Sequence, residues 1–360
     1  MKILIPYDIT TTGMKNPYLF LLMREFYRFD DVTELQHGYG WLYEPGLWDI
    51  IHLHWPELLV KSQLADMSRT NLLDEKHFDR VIEAIRKKKN EGAKIILTVH
   101  NEKPHKDKSG LFEEFYKDMY ALSDGFIHMG KFSKKILLDE YAEIAKNKLH
   151  VVIPHGDYGF FPDDLTRSEC RNKLNILKDE KLILSFGAIR SKEELELGID
   201  AFKNVEIENS IYSITGSIPN PYRSQPQHFI VRKKLYANMF NNRIRTHERI
   251  VGPEEVQVYL KAADLLFIPR FNTLNSGNIA LGFTFGKVVI GPDYGVIGEV
   301  LKETDNPVFN PHDLQSVSDA IKKGLELAEA GHGIKNKEYA NHSMQWEQIA
   351  SETIKAYQSI

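Results

Sequence analysis

An α/β protein of two doubly wound domains is what this sequence predicts, on three observations. Short apolar runs bounded by turn residues alternate with longer amphipathic segments, the pattern of strands and helices wound into a mainly parallel sheet. The 360 residues exceed what one hydrophobic core usually serves. The alternation is interrupted once, over residues 155–181, by a stretch holding Gly156, Gly159, Pro162 and paired acids, which reads as an interdomain connection followed by a short helix.

The first series places strands at Lys2–Tyr7, Ile50–His54, Ile95–His100, Gly125–Met129 and Leu149–Ile153. Helical segments fall between them near Tyr18–Phe29, His77–Asn90, Leu111–Leu122 and Lys131–Ile144. Five strands make one doubly wound domain, residues 1–155. The second series has strands at Leu182–Gly187, Ile211–Thr215, Arg249–Val251, Asp264–Ile268 and Val288–Gly291, giving a second domain over 156–340. The last segment, Ser343–Tyr357, puts Trp346, Ile349, Ile354 and Tyr357 on one helical face, so within 341–360 a helix must pack on something.

Composition narrows the function classes. A hydrophobic fraction of 42% and an aromatic fraction of 11% are those of globular proteins, and no apolar run approaches the roughly 18 residues of a membrane span. The first residues read as a buried strand rather than a signal peptide, and the single cysteine, Cys170, excludes an internal disulfide, so a cytoplasmic protein is expected. The formal charge of -4 argues against a general nucleic-acid binder. From 84 to 148 there are 14 Lys/Arg against 10 Asp/Glu, a small excess that suits either a solvated face or peripheral contact with an anionic membrane surface. No Gly-x-Gly-x-x-Gly follows the first strand and no Gly-Lys-Ser/Thr loop is present, which disfavours nicotinamide and ATP. His52 and His54 point the same way from one strand, yet no second cluster with ligand spacing accompanies them, so neither a metal nor another cofactor is expected.

The stretch from Asn275 to Glu299 is the most informative. Asn-Ser-Gly-Asn opens an apolar segment (Ile279, Ala280, Leu281, Phe283), then Gly286-Lys-Val-Val-Ile-Gly-Pro leads to Gly295 and Glu299. It reads as a polar turn feeding a helix, a buried strand, and a second tight turn ending in an acid. Unpaired N–H groups and a partial positive charge at a helix N-terminus can cradle a phosphate, and Ser276-Gly277-Asn278 lets one approach. The same Ser-Gly is also an ordinary N-cap.

This stretch resembles the donor-sugar half of glycosyltransferases with the GT-B fold, in the bacterial group 1 or family 4-like set. The resemblance extends to Ile214-Thr-Gly-Ser, to the block from His247 to Pro269, and to the Trp-bearing ending Gln345-Trp-Glu-Gln-Ile. It implies two Rossmann-like domains facing a cleft, with the C-terminal helix crossing back to the first domain. It further implies transfer of a sugar from a nucleotide-sugar donor to a saccharide or lipid-linked acceptor, in cell-surface polysaccharide synthesis. The sugar nucleotide is a substrate, so no cofactor is called for.

Site residues follow partly from chemistry and partly from the resemblance. Negative charge grows on a diphosphate leaving group, so fixed cations and N–H donors aimed there favour the transition state. Arg190 and Lys192 resemble the family's phosphate-binding pair, although Glu193-Glu194 stand where Lys-Gly is usual, and a solvated basic turn is the alternative. The resemblance adds Gly13 at the first strand-to-helix turn, Val251 at the nucleobase and Glu299 at a donor hydroxyl. The family's two glutamates, eight residues apart, are Leu274 and Gly282 here. In an open parallel sheet ligands bind beyond the carboxyl ends of strands, where His54, Glu57, His100, Asn101 and Glu102 fall. His100 matches the family histidine facing the donor sugar and is the candidate catalytic group; His54, Glu57, Asn101 and His155 are assigned to the acceptor. Two rival readings stand beside transfer: a nucleotide-sugar epimerase of the same fold, and a catalytically silent accessory subunit permitted by the missing acids.

Overall fold

The computed structural model describes residues 1–9, 16–101, 110–218 and 243–360. The chain forms two compact units, the first from Met1–Gly156 with Gln345–Ile360, the second from Asp157–Met344.

In the first unit the strands are β1 (Lys2–Ile5), β2 (Glu34–His37), β3 (Ile50–Leu53), β4 (Lys94–Val99), β5 (Gly125–His128) and β6 (Leu149–Val152), all parallel, in the order β2-β1-β3-β4-β5-β6. The five-strand expectation missed β2. Its sequence, Glu-Leu-Gln-His, buries only Leu35 and sits at the sheet edge, so neither apolar run nor alternation announces it. Helices α1 (Tyr18–Phe26), α2 (Pro56–Lys61), α3 (Glu75–Asn90), α4 (Leu111–Leu122) and α5 (Lys131–Ala145) run between the strands. In α3, Asp74 and His77 form a capping box, and Phe78, Val81, Ile82 and Ile85 make the buried stripe. Three lysines, Lys87 to Lys89, complement the carbonyl end.

The second unit contains α6 (Arg167–Lys173), β7 (Lys181–Phe186), α7 (Lys192–Val205), β8 (Ser210–Thr215), β9 (Ile244–His247), α8 (Pro253–Ala262), β10 (Leu265–Phe267), α9 (Gly277–Thr284), β11 (Val288–Pro292), α10 (Gly295–Glu303), β12 (Val308–Phe309), α11 (Leu314–Glu329) and α12 (Gly333–Ser343). Its parallel sheet runs β12-β11-β10-β7-β8-β9, which reverses direction between β7 and β10. Successive strand residues feed opposite cores: Leu182, Leu184, Leu266 and Val289 pack on one face, and Ile183, Leu265, Phe267 and Ile290 on the other. A sheet buried on both faces reads as continuous apolar runs, which is why these strands were visible in the sequence. Arg249–Val251 is not a strand; Ile244–His247 takes that place, and Arg249 is drawn out to Glu255 and Tyr259. The expected second turn ending in an acid is instead the start of α10, with Glu299 inside the helix.

The final helix, α13 (Trp346–Gln358), belongs to the first unit and packs on α1. Trp346, Ile349, Ile354 and Tyr357 are all buried. A Cβ at Gly156 would fall 2.2 Å from the Trp346 indole, so glycine lets the chain pass beneath that ring.

Gly216 closes the turn after β8. Its φ is +136°, and an added Cβ would lie 1.9 Å from the Gly187 carbonyl oxygen. Gly216→Ala is expected to cost at least about 2 kcal/mol, from backbone strain plus a backbone clash. Gly40→Ala, which meets nothing within 4 Å, should stay within about 0.5 kcal/mol of wild type in the same urea titration. Equal midpoints for the two variants would contradict the packing described.

Candidate active site

In the second unit the groups gather at the carboxyl ends of β7 and β10, where the sheet order reverses and open α/β sheets leave a binding crevice. Ser276 caps α9, its Oγ accepting from Asn278 N at 3.4 Å. The Asn278 side chain donates to Phe186 O at 2.7 Å and so ties the N-terminus of α9 to the end of β7. Gly187 follows with φ +92°, its N–H donating to Thr215 O at 2.9 Å. On the far side of α9, Val296 N donates to Leu274 O at 2.8 Å; a Cβ on Gly295 would lie 2.6 Å from that same oxygen.

Beyond Gly187 stands a charged group the sequence reading missed. Glu194 is 6% exposed and Arg270 7% exposed. Arg270 donates through Nη1 to Glu194 and through Nη2 to Ala188 O. The same Glu194 oxygen accepts from Arg190 N at 2.6 Å. Burial, with the Arg270 charge close by, brings the Arg190 guanidinium down to about 10, while burial lowers Arg270 against the opposing pull of Glu194. Ser191-x-x-Glu194 has the spacing of a capping box, and Ser191 does accept from Glu194 N at 3.3 Å, but the carboxylate is turned to the arginines instead. The available sequence signal was a lone arginine directly after the buried strand and Pro269.

The other donor-side candidates fall in different surroundings. Lys192 is the first residue of α7 and pairs with Glu196 at 3.3 Å, not with the arginine group. Gly277 opens α9 beside Ser276. Val251 is half-buried and packs on the hydrophobic core. Glu299 is half-buried and lies within α10. The two positions of the absent glutamates are interior: Leu274 is 3% exposed, and a Cβ on Gly282 would meet Val289 at 2.5 Å. Gly13 and Glu102 lie outside the described residues.

In the first unit the sheet order reverses at β1 and β3, and a histidine cluster sits there. His54 Nδ1 and His100 Nε2 are 3.0 Å apart, so one donates to the other. His52, its ring 4.0 Å from that of His54, reaches Thr98 Oγ1 at 2.7 Å and the Tyr357 hydroxyl of α13 at 2.6 Å. The Tyr7 hydroxyl accepts from both His54 N and Trp55 N, and Trp55 stacks on His100 at 4.3 Å. Tyr18 of α1 presents ring edges to His100 and His155, each at 5.1 Å, and to Trp346 at 5.2 Å. His155 donates from Nδ1 to Gly156 O at 2.6 Å. Glu57, on the first turn of α2, accepts from the Tyr116 hydroxyl at 2.5 Å. Asn101 is half-buried, two residues past β4. His54 Nε2 is buried without a hydrogen-bond partner.

Burial dominates the proton chemistry. It drives His54 and His100 well below the ordinary imidazole value, His52 to about 3 and His155 to about 4. All four imidazoles are therefore neutral near pH 7. Burial pushes the Glu57 carboxyl up, against the Tyr116 hydrogen bond that pulls it down. Among the described residues no group of three or more His, Cys, Asp or Glu could hold a metal ion.

Comparison with known proteins agrees with the fold and places the second unit. Residues 166–341 match the family model described as glycosyl transferases group 1. HepE of Anabaena, solved in complex with UDP, superimposes with a TM-score of 0.72 at 14% identity, all of both chains being covered. A glycosyltransferase from Rickettsia africae gives 0.65 at 14%, covering 99% of this chain and 97% of its own. Sucrose-phosphate synthase from Thermosynechococcus elongatus gives 0.63 at 16%, covering 87% and 73%. No protein of curated function matches. The fold is that of GT-B glycosyltransferases, and the match to the group 1 model lies within the second unit.

A pH dependence follows with a definite sign. Because these histidines have folded pKa values below the unfolded value of about 6.5, the unfolded chain binds protons first as pH falls. Their contribution is intact above pH ~6.5 and is lost as pH falls towards about 4 for His155 and about 3 for His52. The denaturation midpoint should decline steadily from pH ~6.5 to ~4.5, and His52→Asn should lessen that slope. A wild-type midpoint unchanged across that range would refute the burial account.

Proposed function

We propose that the protein transfers a sugar from a nucleoside-diphosphate sugar to a saccharide or lipid-linked saccharide acceptor. The observation carrying this reading is the union of a helix N-terminus with Arg190 at the reversal point of the second sheet. Backbone N–H groups of α9 would meet one phosphate, and the Arg190 guanidinium would take charge developing on the leaving diphosphate. The donor nucleotide is proposed to be uridine diphosphate, since HepE was solved with UDP and with UDP-glucose.

Acceptor-side work is assigned to the first unit. Trp55 is half-buried and offers an aromatic surface of the kind on which sugar rings lie, next to His100, His54 and Glu57. Neutral His100 is assigned to the reacting sugar as a hydrogen-bonding group; its pKa makes it no imidazolium acid at neutral pH. Synthesis of a cell-surface polysaccharide, in the cytoplasm or at the inner face of a membrane, is the proposed setting. No helix among the described residues is long and apolar enough to cross a membrane.

Thermal shift against UDP, GDP, ADP and dTDP tests the reading. At about a hundred times its dissociation constant, a ligand adds roughly 2.7 kcal/mol. UDP should raise the midpoint selectively, and Arg190→Ala should weaken UDP binding about 10-fold or more, the worth of a charge-assisted hydrogen bond. A folded protein that shifts with none of the four would overturn the donor assignment and favour an accessory, non-catalytic role.

A further inference from the structure

The segment that follows β2, residues 38–48, holds four large aromatic side chains in eleven residues: Tyr39, Trp41, Tyr43 and Trp48. Trp41 is 40% exposed and stands edge-on to the buried Trp48, their rings 6.4 Å apart. The segment is fixed from behind. Lys88 of α3 is buried and donates from Nζ to Glu44 O at 2.7 Å and to Gly46 O at 2.9 Å. The Arg80 guanidinium lies 4.5 Å over the Tyr43 ring. An indole held out to solvent by a loop already ordered costs little further entropy when something lies on it.

Polar atoms beside that indole lack partners. Trp48 Nε1, the Tyr43 hydroxyl and His37 Nδ1 are buried with no hydrogen-bond partner among the described residues, three such atoms within twelve residues. Buried donors and acceptors are costly to leave unpaired. Gly46, which has no side chain, passes beside Trp48 Nε1, a Cβ there falling 3.4 Å away. Burial pushes the Tyr43 hydroxyl up, so it keeps its proton at neutral pH.

The segment is also continuous with the histidine cluster. Trp55, stacked on His100, meets Tyr7 edge-on at 6.2 Å, and Tyr7 meets Tyr39 at 5.9 Å. Tyr39 and Trp41 share one short 3-10 helix, Tyr39–Leu42. Aromatic side chains therefore run from the proposed acceptor group to the exposed indole.

From this arrangement we infer that the Trp41 segment is an outer acceptor subsite, where a second sugar unit lies on the indole, so that the transfer extends an existing oligosaccharide. The inference rests on the proposed transfer and narrows its acceptor. A sugar ring offers a face of C–H groups to an aromatic surface and a rim of hydroxyls to polar atoms. Those hydroxyls, or waters ordered by them, can satisfy Trp48 Nε1 and Tyr43, which an acyl chain cannot.

The test probes an array of mono- to hexasaccharides with the full-length protein, then titrates it calorimetrically with the longest glycan retained and with that glycan's terminal monosaccharide. Wild type should prefer the longer glycan. Trp41→Ala should weaken it about 10-fold, the worth of a stacked aromatic contact with its buried area, and weaken the monosaccharide less. Trp41→Phe should recover most of the loss, and Ile334→Ala, an exposed apolar residue of the second unit, should bind as wild type does. Far-UV circular dichroism confirms folding of each variant. Oligosaccharide affinity unchanged in Trp41→Ala would overturn the subsite, as would wild-type binding to phosphatidylglycerol vesicles, lost in Trp41→Ala, with no glycan retained. Thermal shift with UDP separates the two readings. Wild type that shifts with UDP and retains no glycan overturns the outer subsite and leaves the transfer standing. Glycan binding without any UDP shift overturns the transfer, and with it the occupant's role as acceptor.

Discussion

A carboxylate enclosed by protein must be matched by donors, and in the second unit Glu194 sets the positions of nearly everything around it. It accepts from Arg190 N and from the Arg270 guanidinium, and through Arg270 it governs the Ala188 carbonyl. Those contacts join the segment after β7 to the segment after β10, the two strands between which the sheet reverses direction. The parallel sheet creates the opening, and the acid decides how its rim is folded. Removing one partner alone is costly because the other charge stays behind unpaired.

The first unit solves a different problem by excluding water rather than pairing charges. His52, His54 and His100 are held neutral by burial, so they serve as hydrogen-bonding groups whose direction is set by neighbours. The Tyr357 hydroxyl hydrogen-bonds His52 Nδ1, and Trp346 closes over Gly156 and Tyr18, which makes α13 part of the wall of the histidine cluster. A helix whose sequence spoke only of an apolar face thus contributes a polar contact to the interior.

What the sequence disclosed and what it hid have physical causes. Strands buried on both faces, such as Ile183 to Phe186, appear as unbroken apolar runs, and α4 spans the Leu111–Leu122 segment that the sequence pattern marks as helical. The edge strands β2 and β9 were lost because each buries little and draws on polar residues. At the candidate site, Arg190, Ser276 and Asn278 were legible from their place next to predicted strands and helices. Glu194 and Arg270 were not, because a capping-box spacing gave the acid an ordinary explanation, and 76 positions separate it from the arginine it binds. Lys192, near the site in sequence, pairs along its own helix with Glu196. Glu299 was read as closing a turn, whereas Gly295 starts a helix there.

The proposed transfer divides the labour, with diphosphate binding assigned to the second unit and reaction-side hydrogen bonding to the first. UDP release from UDP-glucose, followed for wild type and for His100→Ala together with the UDP dissociation constant of each, tests it most directly. The account predicts that the variant keeps its UDP affinity within about 2-fold while turnover falls about 100-fold, as for loss of a positioned hydrogen-bonding group at the reacting centre. Turnover preserved in His100→Ala, or UDP affinity lost in parallel with it, would contradict that division.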